Sequence, residues 1–178
     1  NTPWTVIAEL EADNSRLIKE AIVQREAQAG NDEFFRGTRA TLDSMITFGI
    51  KQVEEKSGDG RGLSPDTFWK TAEQLARRQL TGDAARTAVA YMRMNAKEAE
   101  WNLWYRRILI KDLRCGVSEK TVNKVVEKKY ADYAIPVFGC QLAHDSANHE
   151  AKVTGQKLIE VKLDGVRVIT IVRGDGRV

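Results

Sequence analysis

Glu160-Val161-Lys162-Leu163-Asp164-Gly165-Val166-Arg167 is the stretch on which the fold turns, because it lies between two short period-two runs in a chain that elsewhere reads mostly as helix. Leu158 to Lys162 alternates like a strand, Asp164-Gly165 is a hairpin signal, and Val166 to Val172 alternates again. A period of two puts Glu160 and Lys162 on one face. A lysine amine is ordinarily protonated and inert, but in a partly desolvated pocket near other cations it loses its proton and becomes a nucleophile. The stretch therefore has two readings: a lysine nucleophile with a carboxylate neighbour beside a tight turn, or an ordinary charged hairpin.

The rest of the composition bounds the choice. At 178 residues, 42% hydrophobic and 30% charged, the chain suits one good core or two small domains of a globular protein. No apolar run approaches the length of a membrane span, and an N-terminus carrying Glu9, Glu11 and Asp13 lacks a signal-peptide pattern, so no membrane partner and an intracellular location are expected. Cys115 and Cys140 form no metal-binding pair and read as reduced thiols. Cys140, His144 and His149 make three candidate ligands in an odd arrangement, and no metal site is expected from them. The net charge of +3 is small, but residues 101–130 carry eight Lys or Arg against three Asp or Glu. That local excess suits either a polyanion partner or a solvated helix face.

From Pro3 to about Arg114 the periodicity is helical. Thr2 and Pro3 start a first helix; Asp13-Asn14-Ser15 breaks it, and Leu17, Ile18, Ala21 and Ile22 restart an apolar stripe that ends at Gly30-Asn31-Asp32. A third segment, around Glu33 to Ala40, runs into Thr41 to Val53, where Ile46, Phe48 and Ile50 alternate and helix and strand stay open. Ser57-Gly58-Asp59-Gly60-Arg61-Gly62 reads as a linker, since no apolar strand feeds it as a nucleotide-binding loop requires. Ser64-Pro65-Asp66 starts a helix whose core face is Phe68, Trp69, Ala72, Leu75 and Ala76.

Asn95 with Glu98 predicts a capping box for a helix reaching about Leu113, with Trp101, Trp104, Tyr105 and Ile108 on its apolar face. Arg107, Lys111 and Arg114 follow at i, i+4 and i+7 as a basic stripe facing solvent or phosphate. In Leu113-Arg114-Cys115-Gly116-Val117-Ser118-Glu119-Lys120-Thr121-Val122, Gly116 frees the backbone and Ser118 caps a new helix. A helix N-terminus has unpaired N–H donors and the positive end of the dipole, so this corner is either a phosphate perch flanked by Arg114 and Lys120 or a plain helix-to-helix turn with a glycine cap.

Two signatures in order bring a family into view. The K-x-D-G of Lys162 to Gly165 resembles motif I of the covalent nucleotidyltransferases, which comprise DNA ligases, RNA ligases and mRNA capping enzymes. The R-x-G-x-S-E-x-T-V run from Arg114 to Val122 is similar to the helical DNA-binding domain of ATP-dependent DNA ligases, closest to those of tailed phages. Leu80-Thr81-Gly82-Asp83-Ala84-Ala85 and Asn123-Lys124-Val125 follow the same order, so the resemblance spans at least Ser64 to Arg173. It implies a multidomain α and α+β chain, with an all-α DNA-binding domain over residues 1–131 followed over 132–178 by the first strands and hairpins of an adenylation domain.

By resemblance, Lys162 becomes linked to AMP, Glu160 reads the adenine edge, Asp164 and Gly165 shape the turn, and Arg167 contacts phosphate. Arg107, Lys111, Arg114, Gly116, Ser118, Lys120, Thr121 and Lys124 would meet DNA. ATP as AMP donor, Mg2+ and nicked double-stranded DNA are the implied ligands of a monomer; a sliding-clamp partner is left open. An RNA ligase or capping enzyme shares K-x-D-G but usually lacks the helical domain, and a DNA-binding module without chemistry is the remaining alternative. Because Arg173-Gly174-Asp175-Gly176-Arg177-Val178 reads as a turn leading into another strand, the chain is expected to be incomplete at that end and these residues alone to be inactive in full ligation.

Overall fold

The structure, a computed structural model, describes residues 1–139 and, beyond them, 146–148, 151, 154–158, 161, 168, 170, 172 and 174. The chain divides into two units, Asn1–Gly139 and Cys140–Val178. The first is built from α1 (Pro3–Ala12), α2 (Arg16–Gln28), α3 (Asp32–Leu42), α4 (Pro65–Ala76), α5 (Gly82–Asn95), α6 (Glu98–Glu100), a π turn (Trp101–Tyr105), α7 (Arg106–Leu109) and α8 (Glu119–Val126). A 3-10 turn, Ala131–Tyr133, closes it, and in the second unit Ser146–Asn148 forms another. No helix among the described residues is long and apolar enough to cross a membrane.

The expectation of an α+β part is corrected: the described residues are all-helical, with no strand among them. Of the alternating runs, Leu158, Val161, Val168, Thr170 and Val172 are described, without strand pairing and with exposed side chains. Alternation supplies the faces of a strand but not its ladder partner, and an isolated hairpin is at best marginal. The other residues of those runs lie outside the described ones.

The helix starts follow local chemistry. Pro3 occupies the first turn of α1, where its missing N–H costs nothing, although the Thr2 hydroxyl bonds Thr5 rather than capping a backbone N–H. Ser15, Asn31 and Ser64 cap α2, α3 and α4 by accepting from Ile18, Phe34 and Thr67 amides. α2 has a different buried face from the expected one: Leu17, Ile18 and Ala21 are exposed, while Lys19, Val23, Glu26 and Ala27 point inward.

The core gathers around α6, the π turn and α7, whose Trp101, Trp104, Tyr105, Ile108 and Leu109 are fully buried. Gly37 of α3 makes that packing possible, since a Cβ there would run into the Trp104 ring and lie 2.8 Å from Ile108 Cδ1. Phe34 stacks on Trp104 at 6.1 Å, and Phe68 of α4 tilts against Tyr105 at 4.3 Å.

The stretch between α3 and α4 is neither helix nor strand nor a slack linker. Its backbone polar groups are met by side chains of the central helical run: Trp101 Nε1 donates to Glu54 O at 2.9 Å, Arg106 Nε to Val53 O at 2.7 Å, and Asn102 exchanges two 2.8 Å bonds with the Lys56 backbone. The glycine-rich segment then lies against the end of α5, with Gly60 N donating to Ala96 O at 2.9 Å and Gly62 N to Asn95 O at 2.8 Å. A side chain at Gly60 would collide with those carbonyls, Met94 O being only 2.6 Å from its Cβ position. Close backbone approach, not looseness, explains the glycine.

Candidate nucleic-acid interface

The corner joining α7 to α8 concentrates unusual backbone. Lys111, Arg114 and Gly116 all adopt left-handed φ, at 61°, 53° and 68°. Two of the three carry side chains, which pay for this conformation with about 1 kcal/mol each. The helix stops at Leu109, so the spacing of Arg107, Lys111 and Arg114 does not produce one basic face.

The structure puts these three cations to different uses. Arg107 is buried; its Nη1 donates to Glu11 Oε2 and to Leu113 O, both at 2.8 Å, and its Nε to Asn102 O at 3.2 Å. Lys111 reaches back to the end of α3, donating to Ala40 O at 2.9 Å and Asp43 O at 2.6 Å. Burial lowers its ammonium pKa, against the opposing pull of the Asp43 carboxylate. Arg114 is exposed; its N–H donates to Asp112 Oδ1 at 3.0 Å, and its Nε lies 3.7 Å from Asp112 Oδ2.

Gly116 is doubly required. Its φ favours glycine, and a Cβ would sit 2.5 Å from the ammonium of Lys19. That lysine, from α2, is buried and donates to Cys115 O at 2.6 Å, tying the corner to a distant helix. Sequence reading overlooked it, although a lysine four residues before Val23 and eight before Ala27 breaks an apolar stripe and was the available signal. Burial pushes the neighbouring Cys115 thiol up, which suits a packing role.

Beyond the glycine, the Ser118 hydroxyl accepts from Thr121 N at 3.4 Å and α8 begins. Ser118 and Lys120 are exposed at this end and Thr121 is half-buried. Lys124, also exposed, is shared with Glu20, both carboxylate oxygens at 2.8 Å; Lys124 and then Arg16 hold that carboxyl below its ordinary range. Arg114, Gly116, Ser118 and Lys120 thus share an exposed corner that leads into a helix N-terminus, while Arg107 and Lys111 brace it from behind. Such an arrangement suits phosphate oxygens.

Glu160, Lys162, Asp164, Gly165 and Arg167 lie outside the described residues, as do Cys140, His144 and His149. Among the described residues no group of three or more His, Cys, Asp or Glu is placed to hold a metal ion.

Comparison with protein families gives no match, and neither does comparison with curated proteins. Solved structures do match. The chain is 50% identical to Pmar-Lig_PreS3, with a TM-score of 0.78 over 85% of its own length and 35% of that chain. It is 49% identical to Pmar-Lig_Pre, again with a TM-score of 0.78, over 86% of its own length and 35% of that chain. The chain therefore spans about a third of the length of these structures, whose names mark them as ligase-related.

Proposed function

We propose that the chain is part of an ATP-dependent DNA ligase that seals nicks in duplex DNA. The observation that carries this reading is the likeness, at half identity, to the two Pmar-Lig structures. The K-x-D-G sequence at Lys162 and the exposed basic corner at Arg114 to Lys120 support it independently.

On this reading the corner grips the sugar–phosphate backbone near the nick, and the residues beyond the helical unit, from 140 onward, begin the adenylation domain. Neutral Lys162 attacks the α-phosphorus of magnesium-bound ATP, a nitrogen–phosphorus bond forms, and pyrophosphate leaves. The AMP then passes to the 5′-phosphate of the nick, freeing the lysine. The 3′-hydroxyl attacks that phosphorus, closes the phosphodiester and expels AMP. Each step is phosphoryl transfer, so positioning and charge stabilisation dominate what the protein must supply. Glu160 would read the adenine edge, and Arg167 would contact phosphate.

The test is intact mass of the full-length protein after incubation with ATP and magnesium, with nicked-duplex affinity measured in parallel. One AMP adduct is expected in the wild type and none in Lys162→Ala, with DNA affinity unchanged. An adduct that survives the substitution would remove Lys162 from its role. GTP preferred over ATP, or RNA sealed in place of nicked DNA, would move the protein to the capping enzymes or RNA ligases.

A further inference from the structure

A cleft of about 370 Å³ opens beside the corner, with Lys51, Val53 and Glu54 contributed by the loop after α3 and Arg106, Ile110 and Arg114 by the end of α7 and the turn beyond it. Its volume falls in the range of small-ligand pockets, roughly 300–1,000 Å³. Its charges are unevenly committed. Arg106 is held by Val53 O at 2.7 Å and by Glu55 at 3.4 Å. Glu54 is turned onto Arg93. Asp112, also at the cleft, accepts from the Arg114 amide and sits loosely, at 3.7 Å, beside its guanidinium. Lys51 is exposed and has no ion pair among the described residues. Two cations are therefore left to face the cleft, and the partly buried Ile110 gives it an apolar edge, the Val53 side chain belonging to the core.

Arg114 supplies a second argument. Its left-handed backbone costs about 1 kcal/mol, and its half-exposed side chain makes only the loose 3.7 Å pair with Asp112 in return. The conformation is fixed from both sides, by its own N–H on Asp112 and by Arg107 Nη1 on Leu113 O at 2.8 Å. Strain held in place by its surroundings and not repaid locally is characteristic of a preset contact.

We infer that this cleft binds one sugar–phosphate unit of a nucleic-acid strand, Lys51 and Arg114 taking the phosphate while Ile110 meets the sugar edge. The inference rests on the duplex-binding reading and places beside the Ser118 corner, with which it shares Arg114, a second phosphate position, one that sets register on the strand without reading its sequence.

Binding of the whole chain to a nicked duplex, followed across a salt series, tests it with Lys51→Gln, Glu54→Gln and Lys120→Gln. Lys51→Gln should weaken binding several-fold and reduce the slope of log K on log salt by about 0.9, the counterions of one phosphate. Glu54→Gln should instead tighten binding, because a carboxylate leaves the cleft. Opposite signs from two exposed neighbours, with unchanged melting temperatures, are not what a structural role would give. An unaltered slope in Lys51→Gln alongside a reduced one in Lys120→Gln overturns the cleft and leaves the ligase reading standing; no duplex binding by the wild type overturns both. A free nucleotide offers the same phosphate chemistry, so ATP binding is measured alongside. ATP affinity lost in Lys51→Gln with duplex affinity intact overturns the assignment to a strand.

Discussion

Glu26 is 1% exposed and still ionised, because its two oxygens accept from Asn1 Nδ2 at 2.9 Å, Asn31 Nδ2 at 2.7 Å and Arg25 Nε at 2.8 Å. Burial alone would push its carboxyl up, yet the amide donors of Asn31 and Asn1, with Arg25, outweigh it and hold the pKa below the usual carboxylate range. A depressed carboxyl pKa contributes stability that is fully present above the unfolded value and lost as pH falls through the folded one. Glu26→Gln should therefore cost about 2 kcal/mol at neutral pH and flatten the decline of stability below about pH 4.5. Urea unfolding at pH 7 and at pH 3.5 checks this; an equally steep acid decline in both proteins would remove Glu26 from the account. Nothing in the sequence announced this residue. A buried acid among helical charges looks like any solvated one until its partners are brought together from residues 1, 25 and 31.

The run α6, π turn and α7 shows what a helix reading captures and what it omits. Its apolar face, Trp101, Trp104, Tyr105 and Ile108, was legible because period 3.6 directly reports burial. The cap was misplaced by two residues: Asn95 belongs to α5, where its side chain donates to Tyr91 O at 2.8 Å, and Glu100 is the acid that reaches back to Lys97 N at 2.7 Å. The same Glu100 oxygen accepts from Leu63 N at 2.7 Å, and so fastens the irregular 53–63 stretch to the helix. A long-range bond of this kind has no periodicity, which is why Ser57 to Gly62 within that stretch read as a linker. Glu100→Ala leaves two N–H groups short of a partner, one of them buried, and should destabilise by about 3 kcal/mol. The midpoint of urea unfolding would fall at unchanged slope; a loss under about 1 kcal/mol would mean that water or another side chain replaces the carboxylate.

Across the whole molecule, the path out of the helical unit is held further along than the domain boundary expected after residue 131 suggests. Tyr133 stacks on Phe35 at 4.1 Å and its hydroxyl donates to Asp32, while Asn123 brackets Ile135 with bonds of 2.8 and 2.9 Å to its backbone N–H and C=O. Bonding to Asp32 pushes the Tyr133 hydroxyl up to about 12, so the latch stays protonated at any ordinary pH. Residues 136–139 are exposed. Limited chymotrypsin digestion should leave a stable N-terminal fragment ending at Phe138, whereas Asn123→Ala should let cleavage retreat to Tyr133. A wild-type fragment ending at or before Tyr130 would show that the latch does not hold. At this scale the basic corner was legible from Gly116 and Ser118, whose local roles are local chemistry. The division of labour among Arg107, Lys111 and Arg114 was not, since it depends on where α1 and α3 end.

Lys19 and Gly116 have a shared history built into them. A descendant that first shortened Lys19 would make room at position 116 but strip the donor from Cys115 O; one that first filled position 116 would drive a methyl group against a buried ammonium. Either single step leads through a worse protein, so the two positions behave as one inherited character. Among related chains they should be kept together, and because the left-handed φ at position 116 disfavours any side chain whatever the space, loss of the lysine should not by itself bring alanine to the glycine position.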